Sequence, residues 1–162
     1  MIVSRNEVES MCYRAALGAG LSHGLAEDSA VIGARLAQSR PDGLAIMLLA
    51  LQGAESRPAA PVFRRDGGAW RAAHSFVPAL VMGPIVADLR QAEPGVEIVM
   101  AETDVPAILD ICIAPEVAAG SGEIEAPDEI WRELGRLAAR TYVPASETSR
   151  LMGAGAGLRD ND

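Results

Sequence analysis

The residues best equipped for chemistry crowd into the last two dozen positions. Ser146, Thr148 and Ser149 set three hydroxyls beside Arg150, and Gly153, Gly155 and Gly157 alternate just beyond. Glycine backbones can turn successive N–H groups inward, and a guanidinium forks onto a carboxylate or phosphate. On that chemistry Ser146, Ser149, Arg150, Gly153 and Gly155 form a candidate site for a small anionic ligand. The same residues carry a plainer reading, which they favour. Ser146 caps a short helix, Glu147 and Arg150 are solvated, and the glycines make a tail. In a third reading the small apolar stretch 151–158 packs into a groove on another subunit, anchored by Arg159 and Asp160. A dinucleotide fingerprint does not fit, because its glycines must follow a strand and open a helix, and five residues follow Gly157.

Outside this segment the reactive residues are few. His23 sits in Gly20-Leu21-Ser22-His23-Gly24, just before a helix. A helix N-terminus disfavours its charged form, so a neutral imidazole is expected, either as a capping loop residue or as a weak candidate for the acid–base group. His74 has no acidic neighbour within five residues and reads as structural. Cys12 and Cys112 are far apart and read as small core residues. Two His and two Cys, widely spaced, match no zinc pattern, and no calcium loop appears, so no metal and no cofactor are expected. No Gly-x-Ser-x-Gly elbow is present. There is no lysine, all 14 basic residues being arginine, which removes the lysine of a phosphate loop and the amine of a Schiff base.

The net charge of −8 argues against nucleic acid and against an anionic membrane surface. Charge is unevenly spread. Arg57, Arg64, Arg65 and Arg71 lie close together, whereas the stretch 91–133 holds 11 acidic residues against the single Arg132. These are two solvated faces, or complementary patches that help copies of the chain associate. No signal-peptide stretch opens the chain, the longest apolar run, 44–51, is too short to span a bilayer, and a cytoplasmic location is expected.

The elements that must position these residues are legible in outline. With 162 residues and 49% apolar content the chain is expected to form a single α+β domain, 1–162, with a real core. Ser4 and Glu7 form a capping box ahead of Val8, Met11, Cys12, Ala15 and Ala16 at helical spacing. A second helix is predicted over 25–39, its small face of Ala26, Ala30, Gly33 and Ala37 admitting a close partner. A third, over 41–52, is apolar nearly all round and predicted buried. These make a helical part, 1–54. A β-rich part, 62–116, contains a hairpin over 62–73 turning at Asp66-Gly67-Gly68, a short helix from Pro84, and strands over 96–101 and 108–114. Residues 119–127 read as an acidic loop. A closing helix, 127–141, and the glycine-rich tail complete the part 127–162. The sheet is expected to be small and mixed or antiparallel.

Two segments are familiar together. The run Ser4-Arg5-Asn6-Glu7-Val8-Glu9 through Ala15-Ala16-Leu17-Gly18-Ala19-Gly20 into Gly24-Leu25-Ala26-Glu27 is one. The run from Pro144-Ala145-Ser146-Glu147 through Ser149-Arg150 and Gly153-Ala154-Gly155-Ala156-Gly157 to Asp160-Asn161-Asp162 is the other. Together they resemble a family of small bacterial proteins known as a domain of unknown function, a resemblance that brings no activity and no catalytic residue. Ser22-His23-Gly24 is also similar to a motif of the type-2 malate/lactate dehydrogenases, but those chains are much longer and this one leaves too little for a nicotinamide domain. The expectation is therefore a non-catalytic binding or accessory subunit, a homo-oligomer or the partner of another protein, associating through its tail. The alternative is an enzyme or binding protein for a small carboxylate or phosphate held by Arg150 and its neighbouring hydroxyls.

Overall fold

A computed structural model describes residues 1–54, 63–114 and 122–141. The described elements run β1 (Ile2–Val3), α1 (Arg5–Gly18), α2 (His23–Ser39), α3 (Gly43–Ala54), β2 (Phe63–Asp66), β3 (Ala69–Ala72), α4 (Ala79–Ala92), β4 (Ile98–Val99), α5 (Pro106–Ile113), β5 (Ile124–Glu125) and α6 (Asp128–Ala139). Helices dominate, and two small sheets accompany them, so the fold is α+β as the pattern predicts.

The first helix starts where its capping box says it should. Ser4 Oγ accepts from the Glu7 amide at 3.3 Å, and the Ser4 amide donates to Glu7 Oε2 at 2.7 Å. Two otherwise orphaned N–H groups are thereby satisfied. The Ser4 amide, and after it the Ser4 hydroxyl, both donating to Glu7 Oε2, hold the exposed Glu7 carboxyl below its ordinary pKa. One face of α1, with Val8, Cys12, Ala15 and Ala16, is wholly buried. It packs against α2 and α6, so the last described helix folds back onto the first. The small face of α2 is thus used within the chain.

The described third helix buries Leu44, Met47, Leu48 and Leu51, as its composition predicts, yet Leu49 remains 60% exposed. Both helices begin at shifted positions. Ser22 caps α2, its hydroxyl accepting from the Leu25 amide at 3.5 Å, which brings His23 inside the helix. Before α3, the Arg40 guanidinium grips Asp42 through two hydrogen bonds of 2.9 and 3.1 Å, which fix the corner between α2 and α3.

The predicted hairpin forms. Asp66 pairs with Ala69 across the turn, and Gly67 and Gly68 take φ values of +58° and +99°. Both fall in the left-handed region that suits the right-handed twist of the strands. A lone hairpin is marginal in water. This one gains β4, which runs parallel to β3, and packs on a second small core of Val77, Met82 and Val86 with Phe63, Ile98, Leu109 and Ile113.

Three expectations are corrected. Residues 108–114 are not a strand, since α5 covers most of them. Its short apolar run fits a buried helix as well as a strand, and Pro106 presets the first turn. Helix α4 starts at Ala79, before Pro84, because Asp104 supplies its cap from a distance in sequence. The acidic segment 119–127 contains β5, which pairs antiparallel with β1, an element the sequence did not announce. Among the described residues, no helix is long and apolar enough to cross a membrane.

Candidate functional site

The sequence-derived site residues divide between the two sides of the description. Ser146, Ser149, Arg150, Gly153 and Gly155 lie outside the described residues. His23 lies within them, exposed at the first turn of α2, with its Nδ1 2.9 Å from the Tyr13 hydroxyl of α1. The two rings are 6.4 Å apart between centroids, at 41°. This pair ties the α1–α2 corner and leaves the imidazole on the surface. His74 is also exposed. Among the described residues no three His, Cys, Asp or Glu side chains gather in a way that could hold a metal ion.

Other groups with chemical potential are committed to structural work. Burial pushes the Cys12 thiol up to about 12, helped by the charge of Glu9. Burial likewise pushes Cys112 up to about 12, against the opposing pull of Arg35. A thiol so raised is not a nucleophile at neutral pH. Glu93 accepts from Arg65 Nη1 at 2.7 and 2.8 Å and from the Trp70 indole at 3.2 Å, while the Arg65 guanidinium lies 5.5 Å from the Trp70 ring centre. That cluster locks the hairpin to the end of α4.

A groove of about 440 Å³ lies between the α2–α3 corner and β5. Ala37, Gln38, Arg40 and Leu44 line one wall, and Glu123, Ile124 and Glu125 are on the other. The volume falls in the range of about 300–1,000 Å³ typical of ligand clefts. Its charges are unequal. Arg40 is neutralised by Asp42, whose carboxyl is held below its ordinary range by the Arg40 hydrogen bonds. Glu123 and Glu125 are exposed and two residues apart.

Ladder geometry decides what the β5 wall offers. Met1 and Ala126 exchange both backbone hydrogen bonds, each 2.9 Å. In an antiparallel ladder, hydrogen-bonded and non-hydrogen-bonded pairs alternate. The next pair, Ile2 with Glu125, is therefore the non-hydrogen-bonded one. The N–H and C=O of Glu125 point away from β1. The groove is lined by successive residues 123, 124 and 125, whose side chains alternate in direction, and by none of β1. It therefore runs along the outer backbone edge of β5. Among the described residues neither backbone group of Glu125 has a partner. An edge of this kind has the geometry to which extended backbone can pair. Sequence reasoning passed over it, although the alternation Glu123-Ile124-Glu125 is a strand signal of minimal length.

Comparison with known proteins adds one finding. Residues 3–72 match the model of a family described as "Protein of unknown function (DUF3726)", a similarity that covers the part of the chain running from β1 to β3. The second half of the resemblance seen in the sequence, residues 144–162, lies outside that match. No curated protein and no solved structure matches the chain.

Proposed function

We propose that this protein is a non-catalytic binding or accessory subunit that works by associating with another protein chain, through its C-terminal segment. With this reading go a cytoplasmic, bacterial setting and an assembly that is a homodimer or a heteromer. The observation that supports association with another chain is the groove along β5, which presents a strand edge that no described residue pairs, beside the apolar Ala37, Leu44 and Ile124. Both thiols and the carboxylates of Glu7, Asp42 and Glu93 are meanwhile engaged in packing, a cap and ion pairs. The test is native mass spectrometry of the full chain, gently purified from its host, beside a version lacking Leu151–Asp162. Association is expected in the first and lost in the second, with the far-UV circular dichroism melt unchanged. Association that survives the deletion overturns the role of the segment, and a full chain that stays monomeric and partner-free overturns the whole reading.

A further inference from the structure

The β5 edge specifies more than a place to dock. We infer that the groove accepts an extended segment of a partner protein, added as a third strand beside β5, with basic side chains at alternate positions.

The backbone part of the inference comes from the ladder. Glu125 directs one donor and one acceptor outward, in the phase that an added strand needs. The side-chain part comes from the two faces of β5. Ile124 is 4% exposed and points into the core, so the guest residues on that face meet Ala37 and Leu44 and must be small or branched and apolar. Glu125, and Glu123 just before the strand, are exposed, and guest residues opposite them come within reach of their carboxylates. With Arg40 engaged by Asp42, the free charge on this wall is negative. An alternation of apolar and basic residues therefore complements both faces at once. A second β5 is a poor guest, because glutamates would meet glutamates.

This inference rests on the accessory-subunit reading and names the partner chemistry at its site. The test uses the full 162-residue chain and a synthetic, end-capped hexapeptide alternating valine and arginine. Backbone amide hydrogen exchange is read at Glu125, and affinity is read by calorimetry. In the free protein the Glu125 amide should exchange fast, and the peptide should slow it. Replacing Glu123 and Glu125 together by Arg should weaken binding roughly tenfold, since two cross-strand attractions become repulsions. A peptide of the same charge, N-methylated on the residues that face β5, should not protect Glu125 at all, and this control leaves the protein untouched. No protection by the parent peptide overturns the inference. So does equal binding of the N-methylated peptide, which would make the contact purely electrostatic. A Glu125 amide already protected in the free chain also overturns it, because the edge would be filled by the chain's own residues or by a second copy. If the inference falls while the native assembly persists and depends on residues 151–162, the accessory reading stands and only this surface is removed.

Discussion

Gly33 of α2 lies directly against Cys12 of α1: a Cβ at position 33 would stand 2.5 Å from the Cys12 sulfur and 3.5 Å from Met47 Cγ. The same device recurs in the other half of the fold, where a Cβ on Gly83 of α4 would stand 2.6 Å from the sulfur of Cys112 on α5. Each glycine seats a thiol between two helices, and each seated thiol is desolvated. The chain's two cysteines are therefore spacers at helix crossings.

Two effects of opposite sign compete in Gly33→Ala. Alanine favours a helix by up to about 1 kcal/mol over glycine. Overpacking a filled core costs about 1–3 kcal/mol. Cys12 is 0% exposed and has nowhere to go, so the cost should win. A lowered denaturant midpoint is expected for Gly33→Ala, with most of the loss recovered in the Cys12→Ala/Gly33→Ala double variant. A single variant as stable as the parent would show that the crossing is looser than described.

Asp104 should matter to a helix it does not belong to. Its Oδ1 accepts from the Ala79 amide at 2.9 Å, from the Val105 amide at 3.0 Å and from the Thr103 hydroxyl at 3.3 Å. The first of these bonds caps α4, whose own N-cap residue, Pro78, offers no side-chain hydrogen bond. Removing a side-chain cap costs about 0.5–2 kcal/mol. Asp104→Ala should lower stability by about that amount, and Asp104→Asn, which keeps the acceptor oxygen, by less. Equal melting temperatures for all three proteins would refute the cap.

Acid should loosen the hairpin at a pH set by Glu93. The Arg65 guanidinium, and after it the Trp70 indole, hold this carboxyl below its ordinary range. A carboxyl depressed in the folded state stabilises it above the unfolded-state value and gives that stability up as pH falls through the folded value. Trp70 emission should therefore shift below the usual carboxylate range, and Glu93→Gln should abolish that step. A step that persists in Glu93→Gln would assign it to another group.

The legible parts of the fold are those in which cause and effect are neighbours in the chain. Ser4 and Glu7 are three residues apart, and their capping box reads directly from the sequence. Gly67-Gly68 sets its own turn. The illegible parts are those whose cause is distant. Nothing near Ala79 announces its cap, which lies 25 residues on. The apolar run of α5 resembles a strand until Gly83 and Ile108 are brought together. Of the candidate site, His23 could be found from its place before a helix, but its partner Tyr13 lies ten residues back, on another helix.

By itself the sequence determined composition, charge, the helical hairpin, the β-hairpin and the α+β class, because periodicity, capping and turn chemistry act over a few residues. Only the tertiary structure decided that β1 and β5, from opposite ends of the described chain, share a ladder, and in which phase. That phase turns the backbone of Glu125 outward, along the groove. Hydrogen-bond phase between distant strands depends on how the intervening helices pack, and no local pattern of residues encodes it.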